Sequence, residues 1–210
     1  MNKIISLILV AFCCCMAFQS HAKTRQIVFD KEIDGVRQIE IEGECVRSFT
    51  DTKILNIALQ CWINKTDTIF VVLTNVNAAV ELGAKDNAVM LLKTANDDVI
   101  ELRSAASETN TVKVQVGQPN ISISWWGNFA TVQYNDNKAN ISRNINYYLI
   151  DPATIQLLSV GVKKIRIQFS KGNYDKEWKK DKVGHILTEC YKNFVEYLHN
   201  TQVKSIYDNF

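Results

Sequence analysis

Proline and glycine are scarce in this chain, with two prolines and eight glycines among 210 residues. No Pro/Gly/Ser-rich linker and no block of like charges divides the sequence, so we expect a single globular domain over residues 23–210. Basic residues number 24 and acidic residues 22. This near-neutral balance argues against a nucleic-acid-binding protein.

Residue types and motifs that usually carry catalysis are also few. Of three histidines, His185 and His199 fall on one predicted helix, where a rise of 1.5 Å per residue separates them by roughly 21 Å. They therefore cannot share one metal ion. The sequence contains no Gly-x-Ser-x-Gly, no His-Glu-x-x-His, no phosphate-binding glycine loop and no paired Cys-x-x-Cys motif. We predict no metal site and no cofactor, and we favour a protein that is not an enzyme.

The amino-terminal residues 1–22 have the layout of a secretory signal peptide. Lys3 precedes a run without charge from Ile4 to Phe18, and the small residues Ser20 and Ala22 stand before a polar junction. The run is shorter than the ~20 residues that span a bilayer. We predict cleavage after Ala22 and a periplasmic or secreted product without a transmembrane helix.

Three consecutive cysteines, Cys13, Cys14 and Cys15, lie inside this segment. Lipid attachment is the alternative to simple removal, because bacterial lipoproteins are cut before a cysteine that follows a small residue. Cys13 follows the bulky Phe12, so a lipid-anchored form is the less favoured prediction.

Cys45, Cys61 and Cys190 remain after cleavage. Period-two alternation in "VRQIEIEGECV" and "LNIALQCWI" points Cys45 and Cys61 towards the core from two strands that "SFTDTK" could join. A Cys45–Cys61 disulfide and two small buried hydrophobic residues are both compatible with this pattern, since the register is not determined by the sequence. Cys190 shares a helical apolar stripe and is expected to be an inert buried thiol.

Most of the chain consists of short alternating or fully apolar runs separated by Asn/Asp/Gly/Lys turns, about ten strands in all. "DPATIQLLSVG" predicts a short helix at about 152–160, with Asp151 as N-cap and Gly161 as its end. Apolar residues three or four apart predict a long amphipathic helix at about 175–201. The fold class is therefore α+β and β-rich, a mostly antiparallel sheet or sandwich that ends in a helix.

Three segments, "GAKDNAVMLLKTANDDVIEL", "NYYLIDPATIQLLSVGVKKIRIQ" and "KKDKVGHIL", carry a resemblance. In them the chain resembles uncharacterised exported proteins of Bacteroidetes-type gut bacteria, which combine a lysine-bearing hairpin, a short helix, an "IRI"-type strand and a carboxyl-terminal helix. The motifs are structural, so the resemblance implies a bacterial source and an exported location but assigns no functional residue.

The stretch "ISISWWGNFATVQYN" is the most suggestive binding feature. If Ile121, Ile123 and Trp125 face the core, Trp126 faces the other way, with Phe129 or Tyr134 near it. Exposed rings on a sheet form flat platforms for sugars or partner side chains. Burial of Trp126 under a helix or a second sheet is the alternative.

Between residues 163 and 182, basic residues outnumber acidic ones eight to three. Lys163, Lys164, Arg166, Lys179 and Lys180 are a candidate basic surface for anionic lipid headgroups or acidic glycans. A solvated strand face without a ligand is the alternative.

These features favour an exported, non-enzymatic domain that binds a partner protein or a glycan at the cell envelope. A hydrolase that uses two carboxylates on envelope or dietary polymers is one alternative. A structural component of the envelope is another.

Overall fold

The computed structural model describes residues 25–46, 52–115, 120–123, 130–133 and 138–208, with side chains for 25–46, 52–113 and 140–201. The strands are β1 (Ile27–Ile33), β2 (Val36–Ile41), β3 (Glu44–Val46), β4 (Lys53–Ile63), β5 (Thr68–Ala78), β6 (Val89–Thr94), β7 (Val99–Gln115), β8 (Asn120–Ile123), β9 (Ala130–Gln133), β10 (Lys138–Ile150), β11 (Val162–Phe169) and β12 (Gly172–Glu177). The helices are α1 (Pro152–Leu157), followed by a 3₁₀ turn (Leu158–Val160), and α2 (Gly184–Asp208). The predicted α+β, β-rich class is confirmed, and no helix in the described part of the chain is long and apolar enough to cross a membrane.

One antiparallel sheet contains ten of the described strands, in the order β1-β2-β4-β5-β10-β7-β6-β11-β12, with β3 paired to β4. The pair β8-β9 forms a separate two-stranded sheet. Consecutive strands are mostly neighbours, as expected for hairpins with short connections. The predicted hairpin around "TANDDV" is confirmed, with β6 and β7 joined by a turn in which Asp97 adopts a positive φ of 69°.

The sheet has two parts: the larger contains β1 to β5 and β10, and the smaller contains β6, β11 and β12. Strand β7 belongs to both parts. Its first residues pair with β6 up to Arg103, and from Ser104 onward the strand pairs with β10. A register shift opposite Tyr147 and Tyr148 leaves Ala105 as the additional residue of a bulge. The sequence predicts two separate strands here, "DVIELRS" and "TVKVQV", whereas the structure has one continuous strand that bends.

The sheet curls so that its two parts enclose a common core. Lys53 at the start of β4 donates a hydrogen bond to the carbonyl of Asn173 in β12, at 2.6 Å. The enclosed apolar side chains form one cluster that includes Leu59 and Val72 from one part and Ile165 from the other. Burial of this apolar surface is the main stabilising contribution to the fold.

Helix α1 begins and ends as predicted. The carboxylate of Asp151 accepts a hydrogen bond from the backbone N–H of Thr154 at 2.8 Å, and Pro152 occupies the first helical turn, where its missing N–H costs nothing. Gly161 ends the 3₁₀ turn with a φ of 95°, a conformation that favours glycine.

The predicted start of the long helix near Asp175 is wrong. Residues 172–177 form β12, in which Tyr174 points inward and Asp175 pairs with Arg166 of β11. Helix α2 begins at Gly184 because the carboxylate of Asp181 accepts hydrogen bonds from the N–H groups of Val183, Gly184 and His185. Buried positions along α2 then include Ile186, Leu187, Cys190 and Phe194.

Candidate functional site

Side chains of three neighbouring strands form an apolar outer face on the larger part of the sheet. Alternation turns Leu59 and Cys61 of β4 inward, so Trp62 lies on the opposite face. In register, Trp62 lies opposite Ile69, and Leu73 lies opposite Tyr147. We call the outer-face set the platform: it consists of Trp62, Ile69, Val71, Leu73, Tyr147 and Leu149.

The platform is only partly covered by its own side chains. Val71 at its centre is fully buried, whereas Ile69 is 38% and Leu149 49% exposed. Trp62, Leu73 and Tyr147 are half-buried. Exposure of large aliphatic side chains beside two aromatic rings is unusual on the face of a central strand, where polar residues normally stand.

A hydrogen-bonded chain holds the indole ring of Trp62 in place. Its Nε1 donates to Oε1 of Gln60 at 3.1 Å, and Nε2 of Gln60 donates to Oε2 of Glu40 at 2.7 Å. Glu40 lies on β2 directly opposite Gln60. The indole N–H, the Gln60 amide and one oxygen of Glu40 are therefore linked to one another, and the Trp62 ring is presented in a preset orientation.

Tyr147 lies where the platform meets an acidic rim. Burial raises the pKa of its phenol above the ordinary value, and the nearby carboxylates of Glu108 and Glu40 raise it further. The phenol is therefore neutral at physiological pH. Two carboxylates near one ring make this side of the platform attractive to cations.

A shallow groove of about 390 Å³ extends the platform towards α1. Its lining includes Ile69 and Leu149 of the platform, together with Asp151 and Pro152 at the start of α1. The apolar surface consequently continues from the sheet to the first turn of α1.

Trp126, Phe129 and Tyr134, the binding residues suggested by the sequence, lie outside the residues whose side chains are described. Trp62 was not singled out, although the alternation that turns Leu59 and Cys61 inward already implies that Trp62 faces outward. The alternation within β4 does not predict which residues lie beside Trp62 on the outer face, because those neighbours depend on which strands pair.

The basic residues suggested by the sequence divide into two groups. Lys163 lies 3.8 Å from Asp97, Lys164 lies 3.4 Å from Glu177, and Arg166 pairs with Asp175. These three share the exposed side of β11, and Lys164 and Arg166 line a shallow groove of about 190 Å³ with Leu91, Lys93 and Val99. Lys179 and Lys180 are exposed between β12 and α2.

The disulfide that the sequence allows between Cys45 and Cys61 is absent, since both are free thiols. Cys45 lies opposite Asn56 of β4, five positions from Cys61, which places the two α-carbons well beyond the roughly 7 Å limit for a disulfide. The prediction that Cys45 faces the core is also wrong, because the chain breaks register at Gly43 and exposes Cys45. A β-carbon at Gly43 would lie 2.6 Å from the carbonyl oxygen of Ile57, so this close passage requires glycine.

Cys190 is buried, as expected, and burial raises its pKa to about 11. His185 and His199 are exposed positions of α2. Among the acids, Glu40 is hydrogen-bonded to Gln60, whereas Asp97 pairs with Lys93 in the other part of the sheet. In the described ranges no three His, Cys, Asp or Glu side chains come together as metal ligands.

Comparison of the chain with protein-family models, curated proteins and solved structures finds no significant match.

Proposed function

We propose that this chain is an exported binding domain that docks a partner protein at the cell envelope through the platform. The observation that carries the proposal is the exposure of Ile69 and Leu149 beside Trp62 and Tyr147 on a sheet face. Contiguous apolar surface of this kind is typical of interaction sites, and Trp and Tyr supply much of the binding energy where they occur in interfaces.

A protein fits the platform better than a glycan. Sugar recognition needs free donors and acceptors around the stacking ring, but Gln60, Glu40 and the indole N–H already bond to one another. The remaining surface offers mainly apolar contact. Glu40 and Glu108 near Tyr147 favour a partner whose contacting patch is apolar with a basic rim.

The amino-terminal layout of residues 1–22 supports export, and mass spectrometry of the native protein tests it directly. A mature chain that starts at Lys23 agrees with the proposal. A chain that retains residues 1–22 contradicts export, whereas a lipid on Cys13, Cys14 or Cys15 contradicts cleavage after Ala22 and shows the lipid-anchored form instead.

Docking is tested by capture from envelope extracts of the source cells, followed by identification of the captured protein and titration with both proteins purified. Leu149→Asp places a charge on the exposed part of the platform and should weaken the interaction by tenfold or more. Val99→Asp is the matched control, because Val99 is 60% exposed on the other part of the sheet.

Equal binding by the wild type and a folded Leu149→Asp variant would reject the platform as the docking surface. Loss of binding in both variants would reject it as well. Binding of a purified glycan that depends on Trp62 would overturn the choice of a protein partner.

A further inference from the structure

A second groove adjoins the platform on the outer face of β4 and β5. Its volume is about 410 Å³, and Leu73, one of the platform residues, forms part of its lining. Ala58 lies opposite Leu73 in the register of these strands. Gly43 passes close to Ala58, since a β-carbon at Gly43 would lie 2.8 Å from the β-carbon of Ala58. Two small residues side by side therefore leave a hollow beside an apolar side chain.

Polar side chains lie at both ends of this groove. Glu40 pairs with Gln60 of β4, whereas Cys45 pairs with Asn56. Four residues of β4 separate these two positions, which corresponds to about 14 Å at about 3.4 Å per residue. Asn75 of β5 lies opposite Asn56. The groove therefore extends along β4 from the carboxylate of Glu40 to the thiol of Cys45 and the amide of Asn75, all of which line it.

The groove contains a carboxylate whose charge is not neutralised. Among the described residues that line it there is no lysine and no arginine. Glu44 also lines the groove, but Arg25 donates a hydrogen bond to its carboxylate at 2.8 Å. Glu40, by contrast, accepts a hydrogen bond from the neutral amide of Gln60 and has no cationic partner in the described part of the chain. The Glu40 end of the groove is therefore attractive to a cation.

Asn75 provides an acceptor at the opposite end. Its Oδ1 is buried and has no hydrogen-bond partner among the described residues. An acceptor in this state costs free energy, so a ligand that supplies a donor there gains affinity. The side chain as a whole is only half-buried, and the terminal amide of asparagine rotates readily, so this oxygen can turn towards a donor in the groove.

We propose that the groove binds a lysine or arginine side chain of the protein that docks on the platform. The methylene groups of this side chain pack on Ala58 and Leu73, its cationic head donates to Glu40, and the peptide N–H of the same residue donates to Asn75. A sugar fits less well, because no aromatic ring is found among the described residues that line the groove. The inference rests on the proposed docking at the platform and adds the residue type that the partner inserts.

Cys45 allows a test with a defined chemical probe. It is exposed, whereas Cys61 and Cys190 are buried, so thiol–disulfide exchange attaches a chain at the Cys45 end of the groove. The Cys45 thiolate attacks a symmetrical disulfide, forms a mixed disulfide and releases one thiol. The folded chain 23–210 is treated with equal concentrations of bis(6-aminohexyl) disulfide and bis(6-hydroxyhexyl) disulfide. Mass spectrometry of the intact protein then measures the two adducts at equilibrium.

The aminohexyl adduct should exceed the hydroxyhexyl adduct by about fivefold at low salt, and this preference should fall as salt is added. Glu40→Gln removes the charge but keeps an acceptor for Gln60, and it should bring the two adducts to about equal amounts. Glu32→Gln is the matched control and should keep the wild-type preference. Glu32 is exposed on β1 in the same part of the sheet and does not line the groove.

Equal amounts of the two adducts in the wild type, or the same ratio in Glu40→Gln and Glu32→Gln, would overturn the proposal. An excess of the hydroxyhexyl adduct would overturn it in favour of a polyhydroxylated ligand. Ala58→Leu, which fills the hollow, should lower the preference in a protein that is folded by circular dichroism. An undiminished preference in that variant would show that the probe does not lie in the groove.

The probe experiment uses no partner, so its failure is distinguishable from failure of docking at the platform. If Leu149→Asp weakens partner binding but the aminohexyl preference is absent, docking at the platform stands and the groove proposal fails. If the preference is present but Leu149→Asp leaves partner binding unchanged, the groove still binds a cation and the proposed function fails. With the partner purified, Glu40→Gln should weaken binding about fivefold, and an unchanged affinity would reject the inserted cation.

Discussion

Tyr197 donates a hydrogen bond from its hydroxyl to Oδ2 of Asp30 at 2.7 Å, which ties α2 to the first strand across 167 residues of sequence. The same carboxylate accepts two hydrogen bonds from Arg37, at 2.8 and 2.7 Å. Three elements, β1, β2 and α2, therefore meet at one side chain. A carboxylate that accepts charge-assisted hydrogen bonds from several donors couples the stability of the fold to pH.

The first prediction concerns this contact. Hydrogen bonding from Arg37, and to a smaller extent from Tyr197, holds the pKa of Asp30 below its ordinary value although burial opposes the shift. The stabilisation is therefore present above the unfolded pKa of about 3.9 and is lost as pH falls through the folded pKa. Tyr197→Phe should lower the free energy of unfolding by about 1 kcal/mol at pH 7.

Urea unfolding of the wild type and Tyr197→Phe between about pH 7 and pH 3 measures this difference. The difference in the free energy of unfolding between the two proteins should decrease as the pH falls. Tyr191→Phe is the control, since its ring packs on Phe70 and its hydroxyl makes no hydrogen bond within the described part of the chain. A pH-independent difference would show that Tyr197 acts through packing alone.

The second prediction compares two asparagines of β10 that are both fully buried. Asn144 donates to the carbonyl of Val76 at 3.1 Å and accepts from Thr109 at 3.1 Å, whereas neither polar atom of Asn146 has a hydrogen-bond partner among the described residues. Removing a satisfied polar group costs more than removing an unsatisfied one. Asn144→Leu should therefore destabilise the protein by about 2 kcal/mol, and Asn146→Leu should be near neutral or stabilising.

Thr74 lies opposite Asn146 on β5, and its hydroxyl faces that of Tyr148 without meeting hydrogen-bond geometry. Thr74→Val keeps the shape and should also be near neutral. Thermal or urea unfolding of Asn144→Leu, Asn146→Leu and Thr74→Val measures the change in the free energy of unfolding for each. Equal losses for both asparagine variants would indicate that Asn146 holds a bound molecule in solution.

The third prediction concerns Asp181, whose carboxylate holds four backbone N–H groups. Besides the three at the start of α2, it accepts from Val162 of β11 at 3.0 Å. Asp181→Ala should lower the free energy of unfolding by about 2 kcal/mol, near the upper limit for N-caps, because it also releases β11. Asp181→Asn should cost less, since the amide keeps one acceptor. Circular dichroism during urea unfolding measures both, and an alanine variant as stable as the asparagine variant would contradict the capping role.

Gly184 provides a related test at the first residue of α2. Alanine normally stabilises a helix relative to glycine by about 1 kcal/mol. Here a β-carbon would fall against the carbonyl oxygen of Leu158 and lie 3.0 Å from Oδ2 of Asp181. Gly184→Ala should therefore destabilise the protein, opposite to helix propensity, and a stabilised variant would show that the 3₁₀ turn can move away.

The fourth prediction concerns thiol reactivity. Burial raises the pKa of both Cys61 and Cys190 to about 11, while Cys45 is exposed. In the folded chain 23–210, an aromatic disulfide reagent at pH 8 should therefore modify one thiol rapidly, and in denaturant all three. Cys45→Ser should abolish the rapid phase. A rapid phase that persists in Cys45→Ser would show that the fold opens around a buried cysteine.

Local patterns predicted the parts of this fold whose cause is local. The inward face of β4 follows from alternation, and the limits of α1 follow from Asp151 and Gly161. The start of α2 did not follow, because Trp178 fits a helical spacing while the residues that make 172–177 a strand, Tyr174 and Asp175, depend on contacts with β11. Likewise, the sequence around Ala105 predicts a break between two strands. The bulge that keeps the strand continuous is defined only by its pairing with β10.

The platform illustrates the same limit for the candidate site. Trp62 can be assigned to the outer face from its own strand, but its neighbours Ile69 and Leu149 come from β5 and β10, and β10 lies some 80 residues further along the chain. Strand order determines which outer faces adjoin, and period-two alternation carries no information about strand order. The suggestion of Trp126 likewise rested on alternation within its own strand, which does not show what lies against that face.

The length of β7 has a consequence for how the protein unfolds. Because this strand pairs first with β6 and then with β10, and because the two parts of the sheet share one apolar core, neither part can unfold without exposing apolar surface of the other. Heat or denaturant should therefore produce one concerted transition rather than two, and a chain cut at the bulge should not yield two independently stable fragments. A single bent strand thus connects the two parts of the sheet, so that they unfold together.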